Sequence, residues 1–441
     1  MAPMSAAHRL VLVLVAILVL AGIVVLGLNV SGTGIGVAPK ESASSDPSPV
    51  ETEPSAAPSA DESTEPSVPS DADAQAILAQ IQAEVIAIRG LEAADIGPAE
   101  IISREELAVE LRQIFDEEYP VEERERDNIE LRALGLLEAD QDVAELQLQL
   151  LGDQVLGFYD DVEKRMVVVS DAGLDVEARI TYAHEYTHAL QDAAFGLDSL
   201  ETDAVGEDDR GLARTALIEG DATITMLAWM LQNLSQAEIL EYFAGAELPD
   251  TTGIPSWMVA QLSFPYDAGL TWTTALAGGD PTTPDFTEVD AAFDDPPDST
   301  EQIIELDKWE AREAPDRVEM PDLAAALGDG WEEVDSTPIG QATIGIMLEY
   351  FGTPVADARE AGNGWGGDRL VVATGPDEAF AVAWRLAWDS PEDAAEFQAA
   401  YETVADGLDF PASVTELANG QILVAHASSV ELLRQTIDAA D

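Results

Sequence analysis

His184-Glu185-Tyr186-Thr187-His188 is the stretch whose residue types and spacing already describe a reaction. On an α-helix, residues four apart lie on one face about 6 Å apart along the axis, so both imidazoles can turn toward a single metal ion. Glu185 falls one residue round the helix, beside that ion and not on it. Two neutral nitrogen ligands, with a carboxylate positioned to take a proton from an attacking water, are the parts of metal-assisted hydrolysis. The chain has four histidines in 441 residues. In so histidine-poor a sequence a chance H-E-x-x-H is expected on the order of once in a few hundred such chains.

Catalytic zinc takes three protein ligands and leaves a position open, so a third ligand is required. The metzincin arrangement would add a further His along the same helix, but Gln191 and Ala194 stand there. Downstream, residues 212–223 form an apolar, helix-forming run that carries Glu219 and Asp221. A carboxylate in such a run is costly to bury unless it meets a cation. Glu219 follows His188 by 219 − 188 = 31 residues, enough for a loop and a return helix, and residues 197–211 read as an acidic, solvated loop. H-E-x-x-H followed by a helix bearing Glu resembles the gluzincin group of zinc metallopeptidases. The resemblance implies Glu219 as third ligand, with Asp221, two residues on and so on another face, as the competing candidate. In thermolysin-like members an Asp four residues after the ligand Glu supports a His; this chain has Thr223 there.

The likeness extends through Gly157-Phe158-Tyr159-Asp160, Glu219-Gly220-Asp221-Ala222, Phe264-Pro265-Tyr266, Pro297-Asp298-Ser299-Thr300-Glu301-Gln302-Ile303 and Gly364-Trp365-Gly366-Gly367-Asp368-Arg369. Together these resemble a poorly characterised family of prokaryotic surface or secreted metallopeptidase-like proteins, over roughly residues 100–441. That resemblance implies the zinc ligands and the base, and it is silent on substrate. Members of that family often carry a His-Pro soon after the Glu-Gln-Ile segment; Glu305-Leu306-Asp307 stands here, so no role for that His carries over.

The elements that must position these groups are also written in the chain. Residues 176–183 lead into the motif without Gly or Pro, residues 189–194 continue it, and Gly196 closes it. Residues 155–160 and 165–170 are β-rich and separated by a polar turn, which predicts a hairpin. It is either an edge that pairs with an extended substrate backbone, as gluzincin-like sites do, or an ordinary core hairpin. For the oxyanion of the transition state, His426 and Tyr266 are the candidate donors. His426 ends an apolar strand pattern and Tyr266 follows Phe264-Pro265 in an expected loop, so each also has a plain packing role open to it.

The fold class expected is α+β: a mostly helical zincin-like core with a β-hairpin before the active-site helix, a small C-terminal α+β subdomain and an N-terminal transmembrane helix. Residues 1–9 read as a cytoplasmic tail and 10–30 as a transmembrane signal anchor. Residues 31–73 read as a disordered Ser/Pro/acidic tether, 74–150 as a helical region, 151–368 as the metallopeptidase-like core and 369–441 as the C-terminal subdomain. Residues 10–28 are uncharged and apolar, long enough to span a bilayer and long for a signal peptide. Removal of a signal peptide, giving a secreted protein, is the alternative. Arg9 on the N-terminal side favours an extracytoplasmic catalytic region. The tether composition cannot bury a core.

With 86 acidic against 20 basic residues and a net charge of −66, the surface repels polyanions, so nucleic acid is excluded as a partner. High salt would screen such self-repulsion. The absence of cysteine removes disulfides and lipid-modified cysteine anchors. The function expected is therefore a membrane-anchored, extracytoplasmic zinc metallopeptidase acting on peptide or protein substrates, held to the lipid bilayer by its N-terminal helix. The competing expectation is a catalytically inactive surface scaffold or binding protein with a structural metal site.

Overall fold

The structure is a computed structural model and describes residues 71–151, 155–170, 173–245 and 250–441. The anchor and nearly all of the tether lie outside the described residues. Among the described residues no helix is long and apolar enough to cross a membrane. The architecture is mixed α and β, with two sheets.

Helix α1 (Asp71–Arg89) buries Leu78, Ile81 and Val85, spaced three and four apart, and so presents one apolar stripe to the core. Helix α2 (Arg104–Glu118) opens on a capping box between Ser103 and Glu106. It packs with α3 (Val121–Ala133) and α4 (Val143–Leu151) around Leu107, Phe115, Tyr119, Val143 and Leu150. Strands β1 (Glu100–Ile102), β2 (Gly157–Asp160) and β3 (Arg165–Val169) form a sheet in the order β1-β3-β2, β1 parallel and β2 antiparallel to β3. The hairpin therefore ends a sheet, and β2 is its edge.

Three long helices make the centre. Helix α5 (Val176–Phe195) starts on the Asp175 side chain, which accepts from Ala178 N, and stops at Gly196 in the left-handed conformation (φ +72°). From Ile180 to Gln191 every residue of α5 is buried, so the helix is a core element and not a surface one. Helix α6 (Asp208–Asn233) and α7 (Ser256–Leu276) complete the layer. They cross with backbones in contact: a Cβ on Gly220 would sit 2.4 Å from the Gly269 carbonyl group. Pro265 lies inside α7, where it removes one helix hydrogen bond. Tyr266 is thus a helical residue; the proline that suggested a loop is accommodated within the helix. The segment 197–211 is not simply solvated either, because Leu197 and Leu200 are buried in a short 3-10 turn and α6 begins at Asp208.

The C-terminal sheet is antiparallel in the order β4-β5-β6-β8-β7, from β4 (Glu332–Thr337), β5 (Trp365–Thr374), β6 (Phe380–Trp388), β7 (Ala412–Glu416) and β8 (Ile422–Ala427). Helices α8 (Gly340–Tyr350) and α9 (Val355–Gly362) lie between β4 and β5. Helix α10 (Pro391–Gly407) covers one face through Phe397 and Tyr401, and α11 (Val430–Ala440) the other through Leu432. With both faces covered, residues 381–384 of β6 are fully buried. The boundary expected at residue 369 falls inside β5, whose partner β4 starts at Glu332, so the unit begins earlier. Strand β4 reads Glu-Glu-Val-Asp-Ser-Thr and lacks the apolar alternation that would have announced it.

Candidate metal centre

Helix α5 carries both motif histidines inward, and α6 returns alongside it to bring Glu219 opposite them. His184 Nε2 stands 3.0 Å from His188 Nε2 and 3.2 Å from Glu219 Oε2, and His188 Nε2 stands 3.5 Å from the same oxygen. Among the described residues, these three atoms form the one group of candidate metal-ligating atoms whose residues are all buried. Zinc–ligand bonds of about 2.0–2.1 Å in tetrahedral geometry separate neighbouring ligand atoms by about 3.4 Å. The observed separations match that edge length. His184 Nδ1 and Glu219 Oε1 are buried and meet no hydrogen-bond donor or acceptor among the described residues. The unpaired Glu219 Oε1 and the two Nε2 atoms facing one carboxylate oxygen are what a cation would satisfy, whereas His184 Nδ1 lies on the far side of its ring; the residues present fit zinc.

The electrostatics of the cluster follow from burial. His184, Glu185, His188 and Glu219 are between 0 and 4 % exposed. Burial pulls the His184 ring below its ordinary value, with Glu219 working against it. For His188 burial acts downward too, but the Glu219 carboxylate, Glu185 and Gln191 outweigh it and lift the ring to about 9. Burial raises Glu219, and the two histidines more than reverse this, holding it at about 2. Burial pushes Glu185 up to about 8, against the pull of His188 and of the Tyr159 N–H. With no cation beside it Glu185 therefore holds its proton at neutral pH; a divalent cation opposes that burial cost and favours the carboxylate.

Glu185 is held by the sheet. Val169 N–H donates to Leu156 O at 2.7 Å, and with the β2–β3 register this directs the main-chain groups of Phe158 and Asp160 toward β3. Gly157 and Tyr159 turn theirs to the open edge. There the Tyr159 N–H donates to Glu185 Oε2 at 3.0 Å. The carboxylate thus lies beside the candidate ligand atoms and is held by β2 on the side that no strand pairs, where residues 157–159 are buried.

His188 has a defined partner behind it. Its Nδ1 is 2.9 Å from Gln191 Oε1, one helical turn on. Gln191 Nε2 donates to Ile218 O and to Asp221 Oδ2, both at 2.9 Å. A carbonyl and a carboxylate only accept, so the amide cannot be reversed, and His188 Nδ1 must be the donor. In the neutral ring, the form that binds a metal, this leaves the lone pair on Nε2, facing the cluster. Gln191 fills the supporting role that Thr223 cannot. Its signal was in the sequence, three residues after His188 on the same helix face. Asp221 points away from the ligand atoms to Gln191 and Arg89 and does not join the cluster.

Tyr266 of α7 lies beside the centre, its ring centroid 6.2 Å from that of His184. His426 corrects the expectation: it lies in β8, with Nδ1 donating to Ala133 O at 3.0 Å and Nε2 accepting from the Tyr401 hydroxyl at 3.3 Å. Both ring nitrogens are used in the C-terminal core, among Tyr401 and Phe410, and none is left for the metal centre.

A second acidic group, Glu301, Glu313 and Asp389, surrounds Lys308, whose ammonium already supplies the cation.

Comparison with known proteins finds one family model, a domain of unknown function (DUF8575), over residues 327–432. That span covers the C-terminal sheet and excludes the metal centre. No curated protein and no solved structure matches the chain.

Proposed function

We propose that the protein is a zinc-dependent peptidase, with His184, His188 and Glu219 as metal ligands and Glu185 as general base, anchored to a membrane with this region outside the cytoplasm. The observation that carries the reading is the convergence of three ligand atoms within hydrogen-bonding range of one another, with Glu185 beside them and held by β2 on the side that no strand pairs. A zinc ion in that cradle supplies Lewis acidity to a scissile carbonyl and to water. Glu185 accepts the proton of the attacking water and, once protonated, can deliver it to the leaving amine. The Tyr159 N–H keeps one oxygen of Glu185 fixed so that the other faces the reacting atoms. With the Tyr159 N–H committed to Glu185, an extended peptide laid along β2 would pair with the main-chain groups of Gly157 and with the Tyr159 carbonyl, and strand pairing of that kind holds a backbone regardless of its side chains. Tyr266 is the candidate donor to the developing oxyanion. The anchor and its orientation rest on residues 1–73 of the sequence.

The near-complete burial of the four side chains favours a second reading, a structural metal site in a surface scaffold or binding protein. A structural site has no use for Glu185, so replacing that residue separates the two. Full-length protein should contain one zinc per chain. Glu185→Gln should keep the zinc and the fold while cleavage of a mixed peptide pool falls by roughly 10²–10⁴-fold. Cleavage at a near wild-type rate in metal-replete Glu185→Gln protein would rule out the hydrolase.

A further inference from the structure

We propose that Arg89, at the end of α1, is a positioning residue of the metal centre, acting through Asp221 and Gln191 on His188. The inference rests on reading His184, His188 and Glu219 as a metal cradle. Arg89 is buried, and 132 residues separate it from Asp221 in sequence. Its Nε lies 2.8 Å from Asp221 Oδ1 and donates to Oδ2 at 3.0 Å. Its Nη2 lies 2.6 Å from Asp290 Oδ1, and its guanidinium sits 4.4 Å over the Phe286 ring. Three separate elements thus fix one planar group: α1, α6 and the short helix Thr287–Asp294.

What that group does is set by its neighbour. Asp221 is wholly buried, and its carboxylate is shared between the Arg89 guanidinium and the Gln191 amide. Arg89 Nε, within 3.0 Å of both carboxylate oxygens, holds the carboxylate in the rotamer that accepts from Gln191 Nε2. That contact, with Ile218 O, keeps Gln191 Oε1 aimed at His188 Nδ1 and so keeps the His188 Nε2 lone pair on the cluster. Without Arg89 the carboxylate loses its only cation, its rotamer is released, and the Gln191 amide keeps only Ile218 O as a fixed acceptor. The ring orientation of His188 then loosens. Partners of this outer kind change metal affinity by about 10–100-fold when removed.

The test uses the small histidine count. Full-length protein labelled with 15N only at histidine carries four imidazoles, and their nitrogen shifts report which ring atom bears the proton. Metal-free wild type, held at a pH high enough to make the His188 ring neutral, should show it as a single Nδ1–H tautomer. Arg89→Met should give a mixture of tautomers and, in competition with a chromophoric chelator, about 10-fold weaker zinc binding. Arg89→Lys should restore part of both. Asp290→Asn, which removes the other anchor of Arg89 but keeps its contact with Asp221, should lower thermal stability and shift the tautomer and zinc affinity less than Arg89→Met does. If Arg89→Met does not fold, Asp221→Asn, which keeps the Arg89–Asp290 pair, should show the same mixture and weakening. A stable variant at position 89 or 221 with the wild-type tautomer and zinc affinity would reduce Arg89 to a structural ion pair and overturn the proposal. A wild type that takes up no zinc would instead overturn the peptidase reading, while the tautomer measurement would still decide whether Arg89 controls His188.

Discussion

Two regions of this molecule bury histidine and carboxylate side chains, and they finish the task differently. Around α5 and α6, two ring nitrogens face each other and a carboxylate oxygen, and buried polar atoms of His184 and Glu219 stay unpaired. In the C-terminal unit, His426 has a partner for each nitrogen. Asp368 accepts from the main-chain N–H of Ile339 and Gly340 and from the indoles of Trp365 and Trp384, at 2.7 to 3.0 Å. Burial costs the same kind of free energy in both places. One region repays it within the chain, the other leaves it to be repaid by something bound. Satisfaction of polar atoms, more than residue type, separates a structural histidine from a candidate ligand here.

The comparison is broken most forcefully at Asp368. Replacing it by Ala strips four buried donors of their acceptor, and losing one side of such a buried charge-assisted network costs on the order of 3–5 kcal/mol. The denaturation midpoint of Asp368→Ala should fall accordingly, while zinc per folded molecule stays at the wild-type level. A variant that loses zinc in proportion to stability would mean the two regions are not independent.

Sequence legibility divides along the same line. The H-E-x-x-H helix, its Gly196 stop and the hairpin before it were readable because local spacing and turn chemistry determine them. The placement of Glu219 was readable once an apolar helix was seen to carry a carboxylate. Arg89 was not, because its partner is 132 residues away and a basic residue ending a helix looks like an ordinary response to the helix dipole. Tyr266 was placed in a loop because Pro265 usually breaks helices, but α7 continues across it, packed against α6 and α8. His426 could be either an oxyanion donor or a core residue until Ala133, nearly three hundred residues earlier, was seen to meet it.

A smaller effect should appear at the α6–α7 crossing. Gly220 follows Glu219, and a methyl group there would collide with the Gly269 backbone, which no rotamer change can relieve. Gly220→Ala should cost about 1–3 kcal/mol and, because the displaced turn carries Glu219, weaken zinc binding measurably. Gly345→Ala on α8, where a Cβ meets nothing within 4 Å, is the control and should gain up to about 1 kcal/mol from helix propensity. Equal behaviour of the two variants would show that the close crossing does not position the ligand.

The smallest effect sharpens the comparison through pH. Burial drives His426 down to about 4, with the Ala133 carbonyl pulling the other way, whereas an unfolded histidine titrates near 6.5. Between those values the unfolded chain binds a proton that the folded chain refuses, so stability must fall as pH drops through this window and is unaffected above it. Between pH 7 and pH 5 this site alone should account for about 2 kcal/mol. His426→Gln supplies a donor for Ala133 O and an acceptor for the Tyr401 hydroxyl without a titrating ring. The difference in unfolding free energy between pH 7 and pH 5 should therefore be smaller in the variant by about that amount. An identical slope in both proteins would mean that the folded state admits a charged His426, and that the C-terminal pocket is less completely satisfied than its hydrogen bonds indicate.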